Sequence, residues 1–354
     1  MKYHFVLCSM CVLCLSLMLS ACGGAPMAKT VAVAYVAHSQ SHSMSIINIP
    51  ADQTVSTIEI GDSSVTTGTA TQSSPQNVAV SPDGSRAYVT DGISSVWVVD
   101  TQNRAVVATI PAGTSPQGVV ISPDAKNVYV TTITCGTSPC ASSVEVIDTA
   151  TNAVTTTIPI GNAPIVSLLG IAISPDGARV YVASGNSNGV WAIDTSTKSI
   201  VATIHTTNSN SADLAISPDG SRVYTIGPII GPFVDTYFVD VINTQTNAQT
   251  GSILLGNQDV AVRMAISPDG GNAYVTTEGG RVWIVDTTRN ALMSTITVSP
   301  GSGLHGLAVT PDGTRVYVTC GNTNSIYVLS TTTNEVLAAI PSDYPIGVAI
   351  SGAN

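Results

Sequence analysis

Apolar and polar residues alternate along most of this chain with the two-residue period of a β-strand. One stretch runs through four such parts, namely Val78-Ala79-Val80, Arg86-Ala87-Tyr88-Val89-Thr90, Val96-Trp97-Val98-Val99-Asp100 and Val106-Val107-Ala108-Thr109-Ile110. Short polar turns separate the parts, and no segment keeps the 3.6-residue period of an amphipathic helix. The pattern predicts an all-β protein made of four-stranded antiparallel sheets.

The same four-part unit recurs along the chain. Its first turn contains Ser-Pro-Asp or Thr-Pro-Asp, in which proline presets φ and a following glycine can supply a positive φ. These turns contain Asp83, Asp124, Asp176, Asp219, Asp269 and Asp312. They lie roughly 40–50 residues apart, a period that is typical of propeller blades when every segment has strand patterning.

A seventh unit is divided between the two ends of the sequence. Residues 33–37, 45–49 and 55–60 have the pattern of strands two to four, whereas residues 347–351 have the pattern of a first strand. We therefore predict that these segments pair, so that the N- and C-terminal strands close a seven-bladed β-propeller over residues 31–354. Closure of the ring would remove exposed sheet edges.

The second strands resemble the repeats of the YVTN family of β-propellers. Tyr88-Val89-Thr90-Asp91 and Tyr317-Val318-Thr319-Cys320-Gly321-Asn322 carry the resemblance, which extends over residues 31–351. The resemblance implies the propeller fold, and the family includes surface-layer and cell-envelope proteins. The repeats also resemble the propellers of lactonases and of cofactor-bearing oxidoreductases, and a fold alone does not choose among these functions.

The first 21 residues have the layout of a secretory signal peptide, with Lys2, a short apolar run and small residues before Cys22. Leu19-Ser20-Ala21-Cys22 resembles the bacterial lipobox, which implies cleavage before Cys22, a diacylglyceryl group on its sulfur, and residues 22–30 as a lipidated tether. We expect an exported protein anchored to a bacterial membrane by acyl chains. In a Gram-negative cell, Gly23 instead of Asp implies the outer membrane, on its periplasmic side or at the surface.

The charge of the chain argues against one class of partner. Charged residues make up only 10% of the sequence, and the net charge is −10. Nucleic-acid-binding proteins present a basic face to phosphates, and no Lys/Arg cluster is present here. We predict that the protein binds no nucleic acid, and we expect a monomer.

Repeated acidic and aromatic residues are interpreted as structural. The turn aspartates fall one per blade, and an Asp side chain caps its own turn. Trp97, Trp191 and Trp283 share one position of the repeat, which favours packing between neighbouring sheets. We therefore predict no metal site and no cofactor.

Two cysteines lie close together in an insertion between the second and third strands of the third blade. In an oxidising compartment, Cys135 and Cys140 indicate a disulfide, since a two-cysteine metal site would lack further ligands. Cys320 would remain as a small, partly buried thiol.

Candidate binding residues stand where the innermost strands begin, seven and six positions before each turn aspartate. Most of these positions are small or apolar, and the polar candidates are Gln76, Gln117, Asp213, Arg263 and His305. The last three come from consecutive blades and could bind a carboxylate or a phosphate. The alternative is an ordinary ion pair beside a solvated histidine.

The long irregular segments 61–75, 132–143 and 226–237 should all lie on one face of the propeller, which we call the long-loop face. The opposite face, with the Pro-Asp turns, is the turn face. We expect a non-enzymatic scaffold of the cell envelope that binds a small ligand or an envelope protein at its long-loop face. No nucleophile or phosphate-loop motif is present. The alternatives are a lactonase-like hydrolase using Asp213, Arg263 and His305, or a propeller subunit of a cofactor-dependent oxidoreductase.

Overall fold

The computed structural model describes residues 32–61, 74–134, 141–160, 168–185, 189–208, 210–230, 235–257 and 259–352. These residues form 28 β-strands and one short 3₁₀ helix, Gly321–Thr323. The strands are β1 (Val33–His38), β2 (Ser43–Asn48), β3 (Gln53–Glu59), β4 (Val78–Val80), β5 (Arg86–Thr90), β6 (Ser95–Asp100), β7 (Ala105–Pro111), β8 (Val119–Ile121), β9 (Asn127–Thr134), β10 (Ala141–Asp148), β11 (Ala153–Ile160), β12 (Leu168–Ile173), β13 (Arg179–Ser184), β14 (Gly189–Asp194), β15 (Ser199–His205), β16 (Asp213–Ile216), β17 (Arg222–Ile229), β18 (Thr236–Asn243), β19 (Ala248–Gly256), β20 (Ala261–Ile266), β21 (Asn272–Thr277), β22 (Arg281–Asp286), β23 (Ala291–Thr297), β24 (Leu307–Val309), β25 (Arg315–Cys320), β26 (Ser325–Ser330), β27 (Val336–Pro341) and β28 (Pro345–Ile350).

The strands form seven four-stranded antiparallel sheets, which are the blades of a β-propeller. Blade 1 has the strand order β28-β1-β2-β3, and blades 2 to 7 are built from consecutive groups of four strands, from β4–β7 to β24–β27. Each innermost strand contacts the innermost strands of both neighbouring blades, so the ring is closed. The predicted fold, including the blade shared between the two termini, is confirmed.

The hydrophobic core lies between adjacent blades. Each of seven buried clusters combines side chains from two neighbouring sheets. Trp191 and Trp283 are buried in two of these clusters, and Trp97 packs against a third. The tryptophans therefore pack between sheets, as predicted.

The Pro-Asp turns are held by their own aspartates. In the first of them, Asp83 Oδ1 accepts hydrogen bonds from Ser81 Oγ at 2.5 Å and from the Ser85 N–H at 3.0 Å. The same two contacts recur at Asp124, Asp176, Asp219, Asp269 and Asp312. These bonds favour the ionised carboxylate and lower the pKa of each aspartate. Each carboxylate therefore has a local structural role.

Ring closure at blade 1 reproduces the contacts of an ordinary turn without its Pro-Asp sequence. Ser351 takes the place that Ser81 has in blade 2. The Ser351 N–H donates to Val33 O at 2.9 Å, and the Val33 N–H lies 3.3 Å from Ser351 Oγ. In blade 2 the equivalent contacts join Ser81 and Arg86 at 2.8 and 2.9 Å. The C-terminal strand is therefore held by the same pair of contacts as an internal one.

Two of the segments expected to be long and irregular begin and end as extensions of strands. β9 and β10 continue the sheet to the Thr134–Ala141 pair, and β17 and β18 continue it to the Ile229–Thr236 pair. Residues 135–140 lie between β9 and β10, and residues 230–235 lie between β17 and β18; of these, 135–140 and 231–234 are outside the described residues, as are 62–73. The expectation of irregular structure was thus wrong for residues 132–134, 141–143, 226–229 and 236–237, which continue the hydrogen-bonded ladder.

Cys320 is a free thiol, as predicted, but it is fully buried, beside Leu304 and Leu307 of blade 7, and not partly buried. The described part of the chain contains no helix of the length and apolarity required to cross a membrane.

Candidate functional site: the axial mouth

Glycines bring the innermost strands together around the central axis. Four blades have glycine six positions before the turn aspartate or its equivalent, and at three of these glycines the next blade approaches closely. A Cβ atom at Gly306 would lie 2.4 Å from Ile346 O, and one at Gly347 would lie 2.5 Å from Gln76 O. A Cβ atom at Gly170 would lie 2.8 Å from the Asp213 Cα. Backbone contact at these positions keeps the axial opening narrow.

Threonine hydroxyls bridge neighbouring inner strands at the same height. Thr90 Oγ1 donates to Gln117 O in the next blade at 2.9 Å, and it accepts the Asn77 N–H of its own blade at 3.1 Å. Equivalent bridges are made by Thr131, Thr276 and Thr319. The threonine of the Tyr-Val-Thr motif therefore joins blades. Its place is taken by Ala37, Ala183 and Ile226 in the other three.

A small cavity opens on the axis at the long-loop end of the inner strands, and we call it the axial mouth. Its volume is about 160 Å³, and residues from all seven blades line it. Three of the lining side chains are polar, namely Asn77, Asp213 and Arg263. Each occupies the position that is glycine in the other four blades, which explains why, among the described residues, polar side chains reach the axis only in blades 2, 5 and 6.

Asp213 joins blade 5 to blade 6. Its side chain is 12% exposed, and Oδ2 accepts the Met264 N–H of the next blade at 2.9 Å. This bond lies at the seam where Ile226 replaces the bridging threonine. Burial raises the pKa of the Asp213 carboxyl above its usual range, and the Arg263 guanidinium partly opposes the rise.

Arg263 has unused hydrogen-bonding capacity. Its side chain is 22% exposed, and its Nη1 atom lies 3.9 Å from Asp213 Oδ1, which is too far for a hydrogen bond. No described residue accepts a hydrogen bond from the guanidinium. Its backbone is fixed by the Arg263 N–H, which donates to Thr276 Oγ1 at 3.2 Å. A cation with free donors, carried on a hydrogen-bonded strand, therefore stands at the axial mouth.

His305 lies beside the axial mouth and does not line it. Its ring centre is 6.4 Å from that of Tyr344, which is in the connection from blade 7 to blade 1. His305 Nε2 is enclosed and has no hydrogen-bond partner among the described residues. Burial and the charge of Arg263 lower the pKa of His305, so the ring is neutral at pH 7.

The two candidate glutamines point elsewhere. Gln76 Nε2 donates to Ser74 O and Ser74 Oγ, both at 3.0 Å, and Gln117 Nε2 donates to Ser115 Oγ at 3.0 Å. Neither side chain lines the cavity. The structure thus brings Asp213 and Arg263 together, with His305 beside them and with Asn77 in place of the glutamines. Asn77 could have been selected because it shares the repeat position of Asp213 and Arg263.

The other predicted sites are not described by the structure. Cys22, Cys135 and Cys140 lie outside the described residues. Within the described ranges, no three His, Cys, Asp or Glu side chains are grouped closely enough to hold a metal ion.

Comparison with known proteins identifies the fold. No protein-family model and no curated protein matches the chain. Hydrazine synthase from Kuenenia stuttgartiensis is 22% identical with a TM-score of 0.70, and the match covers 85% of this chain and 92% of that one. A functionally unknown protein from Desulfotomaculum acetoxidans is 18% identical with a TM-score of 0.72, covering 91% and 99%. Dihydro-heme d1 dehydrogenase NirN, in complex with DHE, is 15% identical with a TM-score of 0.60, covering 90% and 74%. At these identities the likeness shows the propeller fold alone.

Proposed function

We propose that this protein is a lipid-anchored propeller of the bacterial cell envelope, with YVTN-type repeats, that acts as a non-enzymatic binding scaffold. Its ligand, a small molecule or a polar group of an envelope protein, occupies the axial mouth on the long-loop face. The observation that carries the proposal is the unused guanidinium of Arg263. A cation that is fixed on a strand and left without an acceptor is poised for an external partner.

The lining of the axial mouth favours binding over hydrolysis. Covalent catalysis requires a nucleophile within hydrogen-bond reach of a base. Among the described residues, no serine, threonine or cysteine lines the cavity, and the imidazole of His305 lies beside Tyr344 outside it. Asp213 is already bonded to the Met264 N–H. The groups present can hold and orient a ligand, which is the role that we assign to them.

A propeller subunit of a cofactor-dependent oxidoreductase is the second candidate. Two similar structures are those of a hydrazine synthase and a dihydro-heme d1 dehydrogenase, and this supports keeping the alternative. Protein purified from native membranes would show visible absorbance, or a copurifying redox subunit, if this alternative were correct.

The anchor is tested by mass spectrometry of the native N-terminus. We expect an acylated cysteine at position 22, because Leu19-Ser20-Ala21-Cys22 resembles the lipobox. A mature protein that begins at another residue and carries no acyl chain would exclude the anchor.

The binding role is tested by thermal unfolding with a panel of small ligands. The panel contains acetate, phosphate, glycine, glucose and ethylammonium, each added to the wild type and to Arg263→Gln. A ligand that binds only the folded state raises the melting temperature. We expect at least one to stabilise the wild type and not the variant. If no class does so, the axial mouth is not a small-ligand site.

A further inference from the structure

We infer that the axial mouth is a site for one small monovalent carboxylate, which Arg263 holds through paired hydrogen bonds. This inference rests on the proposed binding function and adds the chemical class and size of the ligand. The argument depends on the charge, the volume and the free donors of the axial mouth.

The charge of the site selects an anion of low valence. Arg263 provides one positive charge, and the Asp213 carboxylate lies 3.9 Å away. Because this neighbour offsets part of the charge, a phosphate dianion would meet more repulsion than a carboxylate would. The chain as a whole carries a net charge of −10, which further disfavours a multivalent anion.

Arg281, the other described arginine near the long-loop ends of the strands in blade 6, lies outside the axial mouth and near a different carboxylate. Its Nη1 atom lies 3.6 Å from Asp259 Oδ2, and the Asp259 carboxylate also accepts the Thr277 hydroxyl at 2.5 Å and the Gly279 N–H at 2.6 Å. The Arg281 side chain is 38% exposed and does not line the axial mouth, whereas Arg263 does. Arg263 is the group of blade 6 that can receive a carboxylate.

The volume limits the length of the ligand. A cavity of about 160 Å³ corresponds to roughly five water molecules at about 30 Å³ each. A carboxylate of two or three carbons fits this space, and a longer chain must extend through the open end. The Asn77 amide stands three blades away around the ring and gives one hydrogen to Gln117 O at 3.2 Å. Its second hydrogen remains available for a polar substituent on the ligand.

Binding should also be coupled to proton uptake. A bound carboxylate beside Asp213 would raise the pKa of that carboxyl further, and by offsetting the charge of Arg263 it would raise the pKa of His305. Both changes favour protonation in the complex. The affinity should therefore increase as the pH falls from neutral toward the pKa of the ligand itself.

Calorimetric titration with propionate tests the inference. The wild type is compared with Arg263→Gln, Arg263→Lys and Arg104→Gln, the last being an exposed arginine on the turn face that controls for net charge. We expect Arg263→Gln to weaken binding about tenfold or more. Arg263→Lys should weaken it less, because a lysine keeps the charge but loses the paired geometry. Arg104→Gln should bind as the wild type does.

Two further series make the result specific. Acetate and propionate should bind more tightly than hexanoate, succinate and phosphate, and titration in buffers of different ionisation enthalpy should show proton uptake. Circular dichroism melting confirms that each variant is folded. Binding of ethylammonium or glucose in place of propionate, lost in Arg263→Gln, would overturn the carboxylate assignment and leave the proposed function intact. Binding of no probe at the axial mouth would overturn the carboxylate assignment and the small-molecule form of the proposed function, and would leave a polar group of an envelope protein as the occupant.

Discussion

The contact between blades 7 and 1 closes the propeller ring. The hydroxyl group of Tyr317 bonds across this contact, so its removal tests the contact by the loss of a single oxygen atom. Tyr317 is fully buried, and its hydroxyl donates to the Asp52 carboxylate of blade 1 and lies 3.2 Å from Ile49 O. Arg315 binds the other oxygen of the same carboxylate at 2.6 Å. Burial and the Asp52 charge raise the pKa of Tyr317, so the hydroxyl remains a donor at all ordinary pH values. Tyr317→Phe removes the hydrogen bond to Asp52 and keeps the aromatic side chain.

The expected loss can be estimated from the type of bond. A hydrogen bond to a charged group contributes about 1.5–3 kcal/mol. Unfolding entropy is about 2.1 cal/mol/K per residue, or roughly 0.6–0.7 kcal/mol/K for a propeller of about 300 residues. Tyr317→Phe should therefore lower the melting temperature by about 2–5 °C, measured by scanning calorimetry at pH 7.

The same position in two other blades supplies the control. Tyr129 and Tyr274 are buried in the same way, but no described residue forms a hydrogen bond with either hydroxyl. Both residues line clefts on the turn face, of about 410 and 480 Å³. Tyr129→Phe and Tyr274→Phe should change stability by only about 0.5 kcal/mol, or about 1 °C. Equal decreases in all three variants, or none in Tyr317→Phe, would refute a special role for Asp52 at the seam.

Three further predictions concern closure, the disulfide and acid stability. Deletion of residues 346–354 should expose the edge of blade 1 and cause aggregation, and a monodisperse folded truncation would contradict ring closure. In denatured mature protein only Cys320 should react with a thiol reagent, whereas reactive Cys135 and Cys140 would exclude the predicted disulfide. Asp219→Ala should lower the urea midpoint at pH 7, because turn hydrogen bonds lower the pKa of Asp219 from 3.8 to about 2. That stabilisation is complete above pH 3.8 and is lost as the pH falls through 2, so a deficit of equal size at pH 7 and pH 2 would contradict the interpretation.

The fold could be predicted because its determinants are local and repeated. The Pro-Asp turns mark each blade, and the two-residue alternation sets which strand faces pack between sheets. Closure of the propeller ring could also be predicted, since residues 347–351 repeat the first-strand pattern that is missing ahead of residues 33–37. The role of Ser351 in that closure follows from alignment with Ser81, although only the structure shows its contacts with Val33.

The axial mouth was predicted less completely, because the direction of a side chain at the end of a strand depends on its neighbours in space. Gln76 and Gln117 are polar residues of a kind that often binds ligands. Their side-chain amides instead donate hydrogen bonds to Ser74 and Ser115, each two residues earlier in the chain. Asn77 was passed over, although it lines the cavity. Alternation predicts that successive residues of a strand face opposite ways. Either the residues seven positions before the turn aspartates or those six positions before them could therefore face the axis, and only the geometry of the propeller decides between them.

The two charged residues of the axial mouth have different roles, and this difference decides how the site should be tested. Asp213 links blade 5 to blade 6 through its hydrogen bond with the Met264 N–H. No threonine can make this link, because Ile226 occupies the position at which Thr90 and its equivalents join neighbouring blades. Substitution of Asp213 would leave the Met264 N–H buried without an acceptor, at a cost of about 1–3 kcal/mol. Any loss of binding in that variant would then have two explanations. The Arg263 side chain makes no such structural bond with any residue that the structure describes, so its substitution separates ligand recognition from the integrity of the propeller ring.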